Sequence, residues 1–443
     1  MTGVTQARHV MMPLAQRDML TRTRWSAFCL VAFLLLAMLG LNPLGADAVN
    51  AQVSDGSIGN QLVAVALMMM LLLTTWRREQ IGVNLALPAS ILLLLAYCLL
   101  SVSWSLVPDI AVRRLALAFI TMWVLFRATT ELGYARTLWL LRITMGVLLV
   151  ANYFTVFFLD HGIHRFEFGA YTGLVGNWRG LLGHKNLAGP VAAFTVLLFL
   201  FDRRGASRTL FNMIIAAALV FLYFTQSKST MSGLMIAVAA GYAVRLRFFH
   251  STQWLVQGLL SLLVLVPLAA VLFVDVVQRS IDPNAFSGRM QIWLVLLSYV
   301  QDHFWTGAGF GSVWHVGNVS PILALGEGWV SDLAAAGHNG YLDLLAEAGL
   351  PGLVLGVVAL LMLPVRRLYA ATMPVPCRSL LFAIIVFCVW NNLAESQFID
   401  GKTIDQLFLS IAIALIGLAP SPAQVGKFSG FLDRARHTLT LRT

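Results

Sequence analysis

Few side chains in this sequence can move a proton near neutral pH or hold an anion, and four short segments concentrate them. The segment Gly337-His338-Asn339-Gly340-Tyr341-Leu342-Asp343-Leu344-Leu345-Ala346-Glu347-Ala348-Gly349-Leu350 is polar and titratable in a chain that is otherwise largely apolar. Imidazole titrates near neutrality, so His338 has the chemistry of a general base. Asn339 is a residue type that caps helices, and Asp343 and Glu347, four apart, share one face of the helix it would start. The plain alternative is a capping or hydrogen-bonded histidine with no part in chemistry.

The segment Trp178-Arg179-Gly180-Leu181-Leu182-Gly183-His184-Lys185-Asn186-Leu187-Ala188-Gly189-Pro190 places two cations, a histidine and an amide where a loop enters an apolar run. Its glycines let backbone approach a ligand closely, and a helix start there adds N–H donors and a positive dipole, which suits a phosphate. An interfacial turn with snorkelling cations has the same composition. In Thr225-Gln226-Ser227-Lys228-Ser229-Thr230-Met231-Ser232-Gly233, Lys228 stands among hydroxyls between two apolar runs, either as an anion site or as a polar hairpin turn. In Ser287-Gly288-Arg289-Met290-Gln291-Ile292-Trp293, Arg289 falls near the start of a helix that its apolar residues would lay on a membrane; alone, one arginine is commonly a solvated charge. Trp305-Thr306-Gly307-Ala308-Gly309-Phe310-Gly311-Ser312 reads as a tight loop shaping a site, without a dinucleotide or Walker pattern. The sequence shows no cofactor motif and no metal-ligand cluster.

These segments hang on apolar helices. The 443 residues are 59% hydrophobic and 11% charged, with mean hydropathy +0.80. A soluble domain carries about 25% charge. The chain therefore reads as an all-α polytopic membrane protein, a single integral membrane domain over 1–443 with no repeat. Apolar runs fall at about 26–42, 58–76, 85–104, 111–127, 137–159, 187–201, 210–225, 231–244, 253–275, 350–365, 379–397 and 404–420, which makes about twelve transmembrane helices. The polar start, with Arg8, Arg17, Arg22 and Arg24, leads into a run long enough to span, so no cleavable signal peptide is expected. Cys29, Cys98, Cys377 and Cys388 lie outside the long polar loops, so no disulfide framework is expected.

Lysine and arginine set the expected orientation. Arg77, Arg78, Arg127, Arg136, Arg203, Arg204, Arg208, Arg245, Arg247, Arg366, Arg367 and Arg378, with Lys427, Arg434, Arg436 and Arg442 in the tail, fall on one side together with both termini. That side is the cytoplasm. Asp47, Asp55, Asp109, Asp160 and Asp400 fall on the other. The net charge of +10 is thus spread over short loops as topology requires, and nucleic acid is not an expected partner. The outer side holds two long loops, 160–186 and 276–349, the second between spans nine and ten, and few cations: Arg113, Arg114, Arg165, Arg179, Lys185, Lys228, Arg279, Arg289 and Lys402. Arg113 and Arg114 lie at the outer end of a span, where snorkelling is the expected relief.

Together the four segments resemble the O-antigen ligase and polysaccharide polymerase superfamily of bacterial envelope enzymes. The pieces that match are Arg179-Gly180 with Gly183-His184-Lys185-Asn186, Gln226-Ser227-Lys228-Ser229-Thr230, Ser287-Gly288-Arg289 with Trp293, and His338-Asn339 with Glu347-Ala348-Gly349-Leu350. They extend over about 170–400, and the Gly-His-Lys-Asn form is most similar to exopolysaccharide polymerases. The resemblance implies a multi-pass protein of the bacterial inner membrane with a large periplasmic loop over a membrane-embedded cavity. It implies a donor glycan carried on undecaprenyl pyrophosphate, a glycan or lipid A-core acceptor, contact with membrane lipid, and chain-length regulator and flippase proteins as partners. It implies neither metal nor cofactor. By the same resemblance Lys228 and Arg289 hold the pyrophosphate and His338 is the base for the acceptor hydroxyl. The superfamily commonly has arginine where this chain has Lys228, and lysine binds phosphate as a point charge, so Arg179 and Lys185 are expected to share the load. His184, Asn186, Asn339 and Glu347 are the expected supporting residues.

The leading expectation is a polymerase joining lipid-linked units. A ligase that transfers a finished glycan to lipid A-core or protein uses the same parts. A transporter of lipid-linked sugars is the reading from a different class, and it would place charges deep within broken, symmetry-related spans.

Overall fold

Each of the twelve apolar runs lies on a helix in the computed structural model, and the protein is an all-α polytopic membrane protein. The structure describes residues 14–44, 57–77, 84–165, 172–204, 207–246, 249–282, 285–326, 336–401 and 403–420, with 328, 330 and 334 between. Arg8, Asp47, Asp55, Arg78, Arg247, Lys402, Lys427, Arg434, Arg436 and Arg442 lie outside the described residues.

The helices in chain order are α1 (Leu14–Leu39), α2 (Ile58–Thr75), α3 (Ala89–Ser101), α4 (Pro108–Phe158), α5 (Lys185–Leu200), α6 (Arg208–Thr225), α7 (Lys228–Ala243), α8 (Gln253–Leu272), α9 (Val274–Ser280), α10 (Arg289–Asp302), α11 (Pro321–Leu325), α12 (Gly340–Val357), α13 (Leu363–Ala370), α14 (Val375–Asn391) and α15 (Ile404–Leu418). Six stretches among the described residues are long and apolar enough to cross a membrane, one of them Gly340–Ala370, and four shorter apolar helices join them. The 51-residue α4 carries two of the expected spans and bends between them at Gly133, whose φ is 70°.

The three helices at the centre of the bundle are short, predominantly apolar and buried nearly all round. In α5 every residue from Ala188 to Phe199 is buried, and in α15 every residue from Ile404 to Ile416. A helix without a polar face must be enclosed by other helices or lipid. Here α5, α14 and α15 enclose one another, with the Phe194 ring stacked on Phe408 at 4.1 Å and edge-on to Phe387 at 4.9 Å. The outer helices α2, α6 and α8 instead expose Leu62, Leu73, Met213, Val220, Leu255 and Val266, as a lipid-facing surface does.

At one end of the bundle Arg142 donates to the carbonyls of Leu198, Phe201 and Asp202, tying α4 to the end of α5. The opposite end carries the polar segments. Arg114 does not snorkel there as its position predicts. It donates to the carbonyls of Gly311 (2.6 Å) and Trp314 (2.8 Å), because a glycine-rich turn offers backbone oxygens closer than water. The Trp104 indole adds a bond to the Thr306 carbonyl, so the 305–315 turn is fixed to α3 and α4 from below.

Candidate active site

Among the described residues, three helices at the polar end begin with a cation. Lys185 starts α5, Lys228 starts α7 and Arg289 starts α10. A positive side chain on a helix N-terminus adds to the positive end of the dipole, an arrangement that favours an anion. The fourth polar segment meets them at the start of α12. Asn339 caps that helix, its Oδ1 accepting from the N–H groups of Tyr341 and Leu342, as its residue type predicts. His338 stands just before the cap with φ 50°, in the left-handed region. A non-glycine residue held there costs on the order of 1–3 kcal/mol.

The turn after α14 brings these starts together. Glu395 is buried within it, 8% exposed. Its Oε1 accepts from Arg289 Nη2 at 3.0 Å and from Asn186 Nδ2 at 2.9 Å. Its Oε2 lies 3.0 Å from His338 Nδ1. Arg289 Nη1 donates to the neighbouring carbonyl of Ala394. The turn is seated on α12 through backbone. The Gly340 N–H donates to the carbonyls of Asn392 (2.9 Å) and Glu395 (3.2 Å), and any Cβ at position 340 would stand 2.2 Å from Asn392 Oδ1. The Trp293 indole, one turn beyond Arg289, donates to Gly337 at 2.8 Å and binds α10 to the His338 segment. Burial opposes the Glu395 charge, but the His338 hydrogen bond, the His338 and Arg289 charges and the Arg289 hydrogen bond outweigh it. Its carboxyl is therefore held below the usual carboxylate range.

The two lysines complete the rim. Lys185 Nζ lies 3.5 Å from the Gln226 carbonyl, within electrostatic reach of both Lys228 and Glu395. Lys228 is exposed and forms no ion pair among the described residues. The hairpin that carries it packs tightly on α5. Ser227 and Thr230 share a 2.9 Å hydrogen bond, and a Cβ on Gly189 would meet Thr230 Oγ1 at 2.9 Å. Only glycine lets the two helix starts come so near.

Arg179 is placed differently. Its guanidinium donates to the carbonyls of His161 (2.7 Å) and, at 3.5 Å, Gly183, so it braces the 160–183 loop from within. His184 caps α5, Nδ1 accepting from the Asn186 N–H at 3.1 Å, and His164 Nε2 accepts from the Lys185 N–H at 3.3 Å. Burial, reinforced by neighbouring cations, pushes His164 down to about 3. Burial likewise pushes His184 down to about 4, against the Glu395 charge, which favours the protonated ring. Both rings are neutral near pH 7 and add polarity without charge.

Glu347 lies apart from His338. It accepts from the Gly311 N–H at 3.0 Å, while Asp343 accepts from the Trp314 indole at 2.9 Å. The two carboxylates share a face, as their spacing predicts, but that face is turned to the 305–315 turn. The structure thus gathers Arg289, His338 and Asn186 around Glu395, with Lys185, Lys228 and His184 beside them. It leaves Arg179 and Glu347 as braces.

Glu395 was not among the residues singled out by sequence. It falls inside the apolar run 379–397, although α14 ends at Asn391. The available signal was a carboxylate at the edge of a span, in a chain with only 20 acidic residues.

Residues 213–357 match the family described as O-antigen ligase. The match bears out the resemblance over about a third of the chain. It takes in Lys228, Arg289, His338, Asn339 and Glu347, and it stops short of Arg179, Lys185 and Asn186 on one side and Glu395 on the other. No curated protein matches the chain.

Proposed function

We propose that this protein is a glycosyltransferase of the inner membrane that works at the periplasmic face, joining glycan units carried on a lipid pyrophosphate. The family match supports transfer of the O-antigen ligase or polymerase type. The observation that carries the reading is the meeting of His338, Arg289 and Asn186 on one carboxylate, with Lys185 on the same helix start as Asn186 and Lys228 heading one further start beside them.

Transfer needs an acceptor hydroxyl made nucleophilic and a leaving pyrophosphate made stable. His338 takes the proton of the acceptor hydroxyl as its oxygen forms a bond to the anomeric carbon of the donor sugar. The bond from that carbon to the phosphate oxygen breaks, and the pyrophosphate leaves with the electron pair. Arg289, Lys228 and Lys185 face it as charge accumulates. Three cations against one carboxylate leave the site net positive, and the helix dipoles add to it. A guanidinium holds two phosphate oxygens at once, while the lysines act as point charges.

A polymerase is the leading form of this reading, supported by the Gly183-His184-Lys185-Asn186 segment. A ligase that delivers glycan to lipid A-core is the second, favoured by the description of the matching family. The test is reconstitution of the purified protein in liposomes with a lipid-pyrophosphate oligosaccharide. Growth of the glycan supports the polymerase, transfer only when lipid A-core is added supports the ligase, and passage across the bilayer without linkage sinks both.

A further inference from the structure

We propose that Glu395 is a positioning residue with two opposed effects: it orients His338 for proton abstraction, and it competes with the donor pyrophosphate for Arg289. The inference rests on His338 being the base.

Three side chains from distant parts of the sequence converge on this carboxylate. Asn186 heads into α5, Arg289 starts α10 and His338 precedes α12. A guanidinium and an amide nitrogen only donate, so Oε1 accepts both. An ionised carboxylate is acceptor-only, and its second oxygen then accepts from His338 Nδ1 as well. That bond assigns the ring proton to Nδ1 and leaves the Nε2 lone pair for the acceptor hydroxyl. When Nε2 takes the proton, the imidazolium that forms faces a carboxylate 3.0 Å away. The arrangement is the base-and-orienter pair of nucleophilic catalysis, built here on the turn after α14. Arg289 and Asn186 both donate to Glu395 as well, which favours the ionised carboxylate.

The other half follows from Arg289. Each terminal nitrogen of its fork already gives an N–H, Nη2 to Glu395 and Nη1 to the Ala394 carbonyl, and has one more to give. A phosphate must share that fork or displace it, and the Glu395 charge repels the phosphate. A residue that merely braced the fold would support binding and turnover alike. Glu395 supports one and opposes the other.

Glu395→Gln separates the two effects. The amide keeps the shape but presents an N–H₂ to a site where three donors converge, so one donor meets another. Turnover with the lipid-linked donor is expected to fall about 10²–10⁴-fold. Binding of inorganic pyrophosphate, measured by calorimetry on the detergent-purified protein, is expected to hold or tighten, by up to about tenfold, since one repelling charge is gone. Unchanged turnover, or loss of turnover together with pyrophosphate binding, overturns the proposal. A measurement on the wild type stands independently of how the variant folds. In ¹⁵N-histidine spectra at pH 8, the signals lost in His338→Ala are expected to show the proton on Nδ1; a proton on Nε2 overturns the proposal. Full activity in His338→Ala would instead sink the reading of His338 as base.

Discussion

Replacing Arg289 measures the clamp most directly. In the structure the guanidinium heads α10 and spans two acceptors, Glu395 Oε1 at 3.0 Å from one terminal nitrogen and the Ala394 carbonyl from the other. Set against a pyrophosphate, the same fork makes two charge-assisted bonds where an ammonium makes one. A hydrogen bond to a charged group contributes about 1.5–3 kcal/mol. Arg289→Lys is therefore expected to lower the rate by about 10–150-fold. Arg289→Ala removes both bonds, about 3–6 kcal/mol, and is expected to lose about 10²–10⁴-fold. Folding suffers less, because Glu395 keeps Asn186 and His338 as partners. The assay is the initial rate of glycan extension in proteoliposomes over a range of lipid-linked donor, with a thermal unfolding midpoint for each variant. Full activity of Arg289→Lys at every donor concentration would refute the clamp, and Lys185 would become its better candidate. A parallel collapse of the unfolding midpoint would show that the arginine serves the fold instead.

Lys228→Arg is expected to match or exceed wild-type donor use, because a fork replaces a point charge at an exposed helix start, whereas Lys228→Ala weakens donor use by about tenfold at unchanged thermal stability; wild-type kinetics in Lys228→Ala would remove it from the site. The orientation is checked with single cysteines, since the four native ones are buried: Asp160→Cys and Asn318→Cys are expected to react with an impermeant thiol reagent in spheroplasts and Gly205→Cys is not, and the reverse pattern would put the site in the cytoplasm. The 160–186 loop is expected to loosen in acid. His164 has its folded pKa pushed down to about 3 against an ordinary value of 6.5, so its stabilising effect is complete above pH 6.5 and is lost progressively as pH falls toward 3. Limited proteolysis of that loop at pH 8 and pH 5 reads this, and an equal acid response in His164→Gln would assign it to another group.

Much of this protein is legible locally. An apolar run of spanning length must close its backbone hydrogen bonds within itself, so the helices follow from hydropathy. The Asn339 cap follows too, because capping is a relation between a side chain and N–H groups two and three residues on. The cations at 185, 228 and 289 stand out because charge is scarce in the chain. The spacing of Asp343 and Glu347 told which face they share, but not that the face meets the glycine-rich turn. Arg114 looked like a snorkelling end residue, and its partners lie 197 and 200 positions away.

The sequence by itself determined an all-helical membrane chain, the positions of its spans, and a short set of candidate acids, bases and cations. Only the tertiary structure decided which of them work together. Glu395 shows why: its partners stand 57, 106 and 209 residues from it along the chain. No periodicity links such positions, because each helix carries its own register and only their packing sets one helix start beside another. The same packing turned Arg179 inward onto the loop backbone and left Lys228 exposed at the rim, a distinction between two cations of the polar end that charge alone does not contain.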